Sequence, residues 1–127
     1  MIDLRAKSIP HSQHRYSTVG DWIVNADGKR TILVSDHGNT DYEFLIVLHE
    51  MIEQHLCEKR GITTDMVDKF DMDFEANKLP GEPGDSPQAP YYKEHQFATI
   101  MERLMCNELG LDWQEYLKAG EALCASS

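Results

Sequence analysis

Basic residues are scarce in this chain. Twelve Lys and Arg stand against 22 Asp and Glu among 127 residues, a formal net charge of -10. A protein that grips a nucleic-acid backbone needs the opposite balance, so no nucleic-acid partner is expected. Long apolar runs are missing as well. No stretch reaches the roughly 18 residues needed to span a bilayer, which argues against a membrane partner. The opening MIDLRAKSIPHSQHR has no apolar h-region, so export by a signal peptide is not expected. Only three cysteines occur, Cys57, Cys106 and Cys124. Their odd number and wide spacing suggest reduced thiols in a cytoplasm rather than a disulfide framework. There is no G-x-x-x-x-G-K-[ST] loop, no G-x-G-x-x-G and no G-x-S-x-G elbow, which disfavours nucleotide-cofactor and serine-hydrolase chemistry. No internal repeat or low-complexity tract is visible.

The length suits one domain over residues 1–127. Residues 1–15 read as an irregular arm. TVGDWIVN and KRTILVSD then flank Ala26-Asp27-Gly28, the pattern of a β-hairpin. Thr40-Asp41-Tyr42-Glu43 matches a capping box and opens a helix that runs to about Arg60, with Gly61 as its stop. Thr63 or Thr64 caps a second helical segment, DMVDKFDMDFEANK. LPGEPGDSPQAP, residues 79–90, has four prolines and two glycines and reads as a constrained loop. A further helix, YYKEHQFATIMERLMCNEL, stops at Gly110. A short last helix follows, and residues 121–127 are expected to fray. The expected fold class is α+β, an N-terminal β-hairpin followed by three to four mainly antiparallel helices. The expected core comprises Trp22, Phe44, Leu48, Ile52, Phe97, Ile100 and Leu104.

The informative stretch is LHEMIEQH, residues 48–55. It approaches H-E-x-x-H, but Glu53 stands where the second histidine would be. At about 100° per residue, Phe44, Leu45, Leu48, Ile52 and Leu56 share an apolar face, and His49 and Glu53 interrupt apolar surface beside it. A glutamate drawn into such a surface is costly unless paired or bound to a cation. Spacing of four puts His49 and Glu53 side by side. An imidazole and a carboxylate together suit a divalent metal, zinc first among them. Glu50 would then serve as a general base. The plainer alternative is an i,i+4 hydrogen bond between His49 and Glu53, with Glu50 solvated. His55 points elsewhere on the helix.

The later helix repeats the anomaly. Tyr91, His95, Ala98, Glu102 and Cys106 share one face, and His95 and Glu102 break it. Two antiparallel helices of this kind build a pocket in which His49, Glu53, His95 and Glu102 are the candidate metal ligands. A buried His–Glu hydrogen-bond network is the competing reading. A di-iron carboxylate bundle requires Glu-x-x-His in two helices. Neither His49 nor His95 has a glutamate three residues before it, so one ion is expected. His11 and His14 sit in the arm and are read as solvent-exposed. Asp68, Asp71, Asp73 and Glu75 read as a solvated helix face, with Asp71 in reach of the site if that segment covers the first helix.

IPHSQHRYSTVGDW, YEFLIVLHEMIEQHLC, GITTDMVDKFD and GDSPQAPYYKEHQFATIMERLM resemble, across nearly the whole chain, a family of small uncharacterised proteins of phages and bacteria. The resemblance implies one compact domain in a microbial, viral setting, hence a host cytoplasm, and no catalytic assignment. The order of hairpin, H-E-x-x-x helix and later helix also resembles the minimal core of zincin metallopeptidases. That resemblance implies His49 as a ligand, Glu50 as the base, and His95 or Glu102 as the distal ligand. Glu53 departs from the family's second histidine and makes the site more anionic.

Three functions compete at this point. One is a small metal-dependent hydrolase, or a metal-binding relic of one. The second is a non-enzymatic phage accessory protein whose acidic surface binds a host protein. The third is a helical domain with a buried polar network. The substrate is not readable.

Overall fold

A computed structural model describes residues 1–125. Its elements are β1 (Leu4–Ile9), β2 (Gly20–Val24), β3 (Arg30–Ser35), α1 (Thr40–Lys59), α2 (Thr64–Ala76), α3 (Tyr92–Glu108) and α4 (Trp113–Ala125). The order of sheet first and helices after is the expected α+β arrangement. The hairpin is present: β2 pairs antiparallel with β3, Trp22 opposite Ile32.

The first fifteen residues are not an irregular arm. β1 lies parallel to β3, with Leu4 opposite Arg30 and Ile9 opposite Ser35, so the sheet has three strands in the order β1-β3-β2. The strand was invisible in sequence because it is an edge. Its four middle residues are exposed and polar or small, and only Ile9 is buried. The backbone ladder holds it without a period-2 apolar pattern. Strand pairing also carries the following turn onto the sheet. His11 Nδ1 lies 2.9 Å and His14 Nε2 3.0 Å from Ser35 Oγ, and both rings are half-buried rather than solvent-exposed.

α1 begins one residue earlier than the capping box suggests. Asn39 is the N-cap and accepts from the Tyr42 amide at 3.1 Å. Glu43 reaches back to the Asn39 amide at 3.3 Å, so the reciprocal logic of the box survives with a shifted frame. Thr63 caps α2 through the Met66 amide at 3.2 Å. Residues 121–125, expected to fray, form the last turn and a half of α4. Residues 126 and 127 lie outside the described residues. No helix among the described residues is long and apolar enough to cross a membrane.

The core differs from expectation in one instructive way. Trp22 is buried, but Phe44, Phe97, Ile100 and Leu104 are 47%, 48%, 57% and 62% exposed. Leu48 and Ile52 are half-buried. α1 instead turns Leu45, Ile46, His49, Glu53, Gln54 and Cys57 inward. α3 turns Glu94, His95, Ala98, Glu102 and Cys106 inward. Both helices therefore bury a face rich in ionisable groups and leave much of their apolar surface outside. Burial of that polar face is tolerable only where every group finds a partner.

Candidate metal centre

α1 and α3 run antiparallel across the site. Glu53 on α1 meets His95 on α3, and one turn back along α1, His49 meets Glu102. Three ligand atoms converge. His49 Nε2 lies 3.0 Å from Glu53 Oε2 and 3.2 Å from His95 Nδ1, and His95 Nδ1 lies 2.8 Å from Glu53 Oε2. All three residues are buried. The side chains singled out on the two helices are thus brought together, while His55 is exposed and apart from them.

Each ligand candidate is held from behind. His49 Nδ1 lies 2.7 Å from Glu102 Oε1 and its Nε2 3.0 Å from Glu53 Oε2, so the ring has a carboxylate at each nitrogen. The Tyr116 hydroxyl donates to the other oxygen of Glu102. Glu102, a fourth candidate ligand in the sequence, is here hydrogen-bonded to His49 and Tyr116 and stands outside the group of three whose ligand atoms converge. Both of its oxygens are already engaged. Glu53 Oε1 accepts from the Trp22 indole N–H at 3.3 Å, so its Oε2 alone faces the two imidazoles. Trp22 and Tyr116 were not foreseen as site residues. Their signal was the polar atom each aromatic carries, which needs a partner when buried.

The charges explain how such a cluster stays buried. Burial alone would lower the His49 pKa, but the Glu102 and Glu53 carboxylates overcome it and push it up to about 10. Burial likewise opposes the charged form of His95, and Asp85, Glu53 and Glu82 raise it to about 12. Glu53 is disfavoured by burial, yet the two imidazoles bring it down to about 2. The shared point is therefore one where positive charge is strongly favoured.

Glu50 opens into the adjoining cavity, about 700 Å³ in volume, which also receives His49, Glu53, His95 and Glu102. Burial and the neighbouring Glu53 charge hold the Glu50 carboxyl well above the usual carboxylate range. A Cβ at Gly20 would stand 2.8 Å from Glu50 Oε1 and 2.6 Å from Ile46 Cγ2, so only glycine lets β2 pass this close to α1. α2 closes another wall. Asp71 reaches the cavity and is not part of a solvated face. It accepts from the Tyr16 hydroxyl at 3.0 Å and from the Tyr91 hydroxyl. Arg15 bridges Asp21 and Asp68 at 2.7 and 2.8 Å.

The donor set fits a zinc-like ion. Bonds of roughly 2.0–2.2 Å at tetrahedral angles put neighbouring ligand atoms about 3.3–3.6 Å apart. The observed edges of 2.8, 3.0 and 3.2 Å are hydrogen-bond distances, and the three side chains would open by roughly 0.1–0.8 Å to take an ion. Two imidazoles and one carboxylate also leave a fourth position open, as catalytic zinc sites do. Comparisons with protein-family models, with curated proteins and with solved structures give no match.

Proposed function

We propose that this chain is a metal-dependent hydrolase that binds one divalent cation, zinc by preference, through His49, Glu53 and His95. The observation that carries the reading is the convergence of their three ligand atoms, none more than 3.2 Å from another. A bound cation of this kind supplies a Lewis acid. With a dication held there, Glu50, whose carboxyl burial and the Glu53 charge hold above the ordinary range, would be ionised and able to accept a proton from water. Glu102 would hold His49 with Nε2 free to ligate, and the Trp22 indole would hold Glu53 Oε1, leaving Oε2 for the ion.

The cavity bears on the substrate. Its walls include Asp21, Glu50, Asp71, Glu75, Glu82 and Glu121, and besides its histidines Arg103 is the one basic lining residue among those described. Even with a dication bound, such a lining favours a substrate segment with positive charge over one with phosphate. The test is hydrolysis of a peptide panel, with basic and acidic residues flanking the scissile bond, by zinc-loaded protein. The expected outcome is cleavage by wild type and at least about 100-fold slower cleavage by Glu50→Gln at equal zinc content. Equal rates for the two proteins would overturn the assignment of the base.

The exposed apolar positions on α1 and α3 favour a second reading, a non-enzymatic accessory protein that binds a host protein. Substitutions at Phe97 and Leu104 separate the two. They would weaken capture of a partner and leave zinc content untouched.

A further inference from the structure

We infer that Asp85 is the positioning residue that makes His95 a ligand through Nδ1. The inference rests on the metal-site reading above. A neutral imidazole has two ring nitrogens and one proton, and the nitrogen that ligates must be the bare one. For His49 the choice is made by Glu102. For His95 both nitrogens face groups that could gather a cation. Nδ1 faces Glu53 and His49. Nε2 lies 3.2 Å from Asp85 Oδ1 and 3.5 Å from Glu82 Oε2. Either set, taken with His95, has the spacing of a metal site. One neutral ring cannot offer a lone pair to both.

Burial decides between them. The inner set is enclosed and adds a second imidazole, whereas the Asp85 and Glu82 side chains are 56% and 63% exposed. Carboxylates this exposed face solvent that screens their charge, so a cation gains less there. The inner set therefore takes the lone pair and the outer set takes the proton. Asp85 is the nearer of the two carboxylates. It is also tethered, since the Gln96 side-chain amide donates to Asp85 Oδ1 at 3.1 Å. His95 itself is only 7% exposed, and its Nε2 is buried without a well-directed hydrogen bond among the described residues. Ligation at Nδ1 would put the ring's one proton on Nε2, where Asp85 Oδ1 is the nearest carboxylate oxygen.

The neighbouring residue explains why this loop can reach the ring. A Cβ at Gly84 would stand 2.4 Å from both Cγ and Nδ1 of His95. The loop backbone thus lies against the imidazole while Asp85 holds its far nitrogen. The proline- and glycine-rich segment before α3 is more than a connector. It sets the orientation of one ligand.

The test is zinc affinity by chelator competition on the full chain, with ¹⁵N-histidine NMR on the zinc-loaded protein. Asp85→Ala should bind zinc about 10- to 100-fold more weakly. Asp85→Glu should recover part of the loss, and Glu82→Gln should lose less than Asp85→Ala. In the wild type, the His95 resonances should show a protonated Nε2 and a ligated Nδ1. Wild-type zinc binding with unchanged affinity in Asp85→Ala would overturn the inference and leave the metal site standing. Ligation through Nε2 would also overturn it, by moving the ion to the outer set. A wild type that binds no zinc would overturn both.

Discussion

His49 is buried with a carboxylate at each ring nitrogen, and that pairing governs what each neighbour can do. Glu50 is different, because it lines the cavity without a histidine of its own. The Glu50→Gln protein should keep its metal and lose hydrolysis, since the change removes a base and not a ligand. Asp71 gives a pH-dependent test outside the ligand set. Burial raises its pKa most, the Tyr91 and Tyr16 hydroxyls oppose the rise, and the Glu53 and Asp21 charges add to it, for a result of about 6. Its proton is therefore held by the folded protein after the unfolded chain has lost it. Stability should fall as pH rises from about 4 to about 6, by on the order of 3 kcal/mol, and then level off for this group. Asp71→Asn should remove that slope in urea unfolding series. A slope unchanged by the substitution would count against the buried placement. Cys57 is fully enclosed, and burial together with the Glu53 charge pushes its thiol up to about 12. It should react with a thiol reagent only as fast as the protein unfolds.

At the scale of elements, α1 and α3 show the difference between a helix's most apolar face and the face a fold buries. Phe97 and Leu104 stand outside, so Phe97→Ser and Leu104→Ser should change the isolated protein's stability by no more than about 0.5 kcal/mol. Leu45 is completely buried, and Leu45→Ala should cost about 2–5 kcal/mol. Thermal melts of the three variants distinguish this arrangement from one with Phe97 and Leu104 in the core. The hairpin and four helices were legible because turn residues, caps and stops announce them locally. The pairing of His49 and Glu53 with His95 was legible because polar residues that break an apolar stripe need partners. The inward face was not, because apolarity alone pointed to Phe44, Leu48 and Ile52. The partners that pull the other face in, Trp22 and Tyr116, come from distant elements, and helix periodicity carries no information about them. β1 escaped notice for a related reason. An edge strand held by backbone bonds leaves little trace in its side chains. That Glu102 meets His49 at Nδ1 was not legible, because spacing places a carboxylate on a face without saying which atom of His49 it meets.

For the whole molecule, the excess of acid has a location. Much of it surrounds one cavity between the sheet, α1, α2, α3 and the loop before α3. There it is balanced by Arg15, by buried hydroxyls and by two histidines whose affinity for positive charge is raised. A divalent cation would replace those protons with a charge at the point where the three ligand atoms converge. A purely structural network would keep the protons and bind no ion. Elemental analysis of protein purified without chelators and without a His tag separates these accounts. The metal reading predicts close to one zinc per chain in the wild type, loss of the ion in both His49→Ala and His95→Ala, and retention in Glu50→Gln. A wild type with no stoichiometric metal, or alanine variants that keep it, would contradict that reading and leave the cluster as a buried hydrogen-bond network.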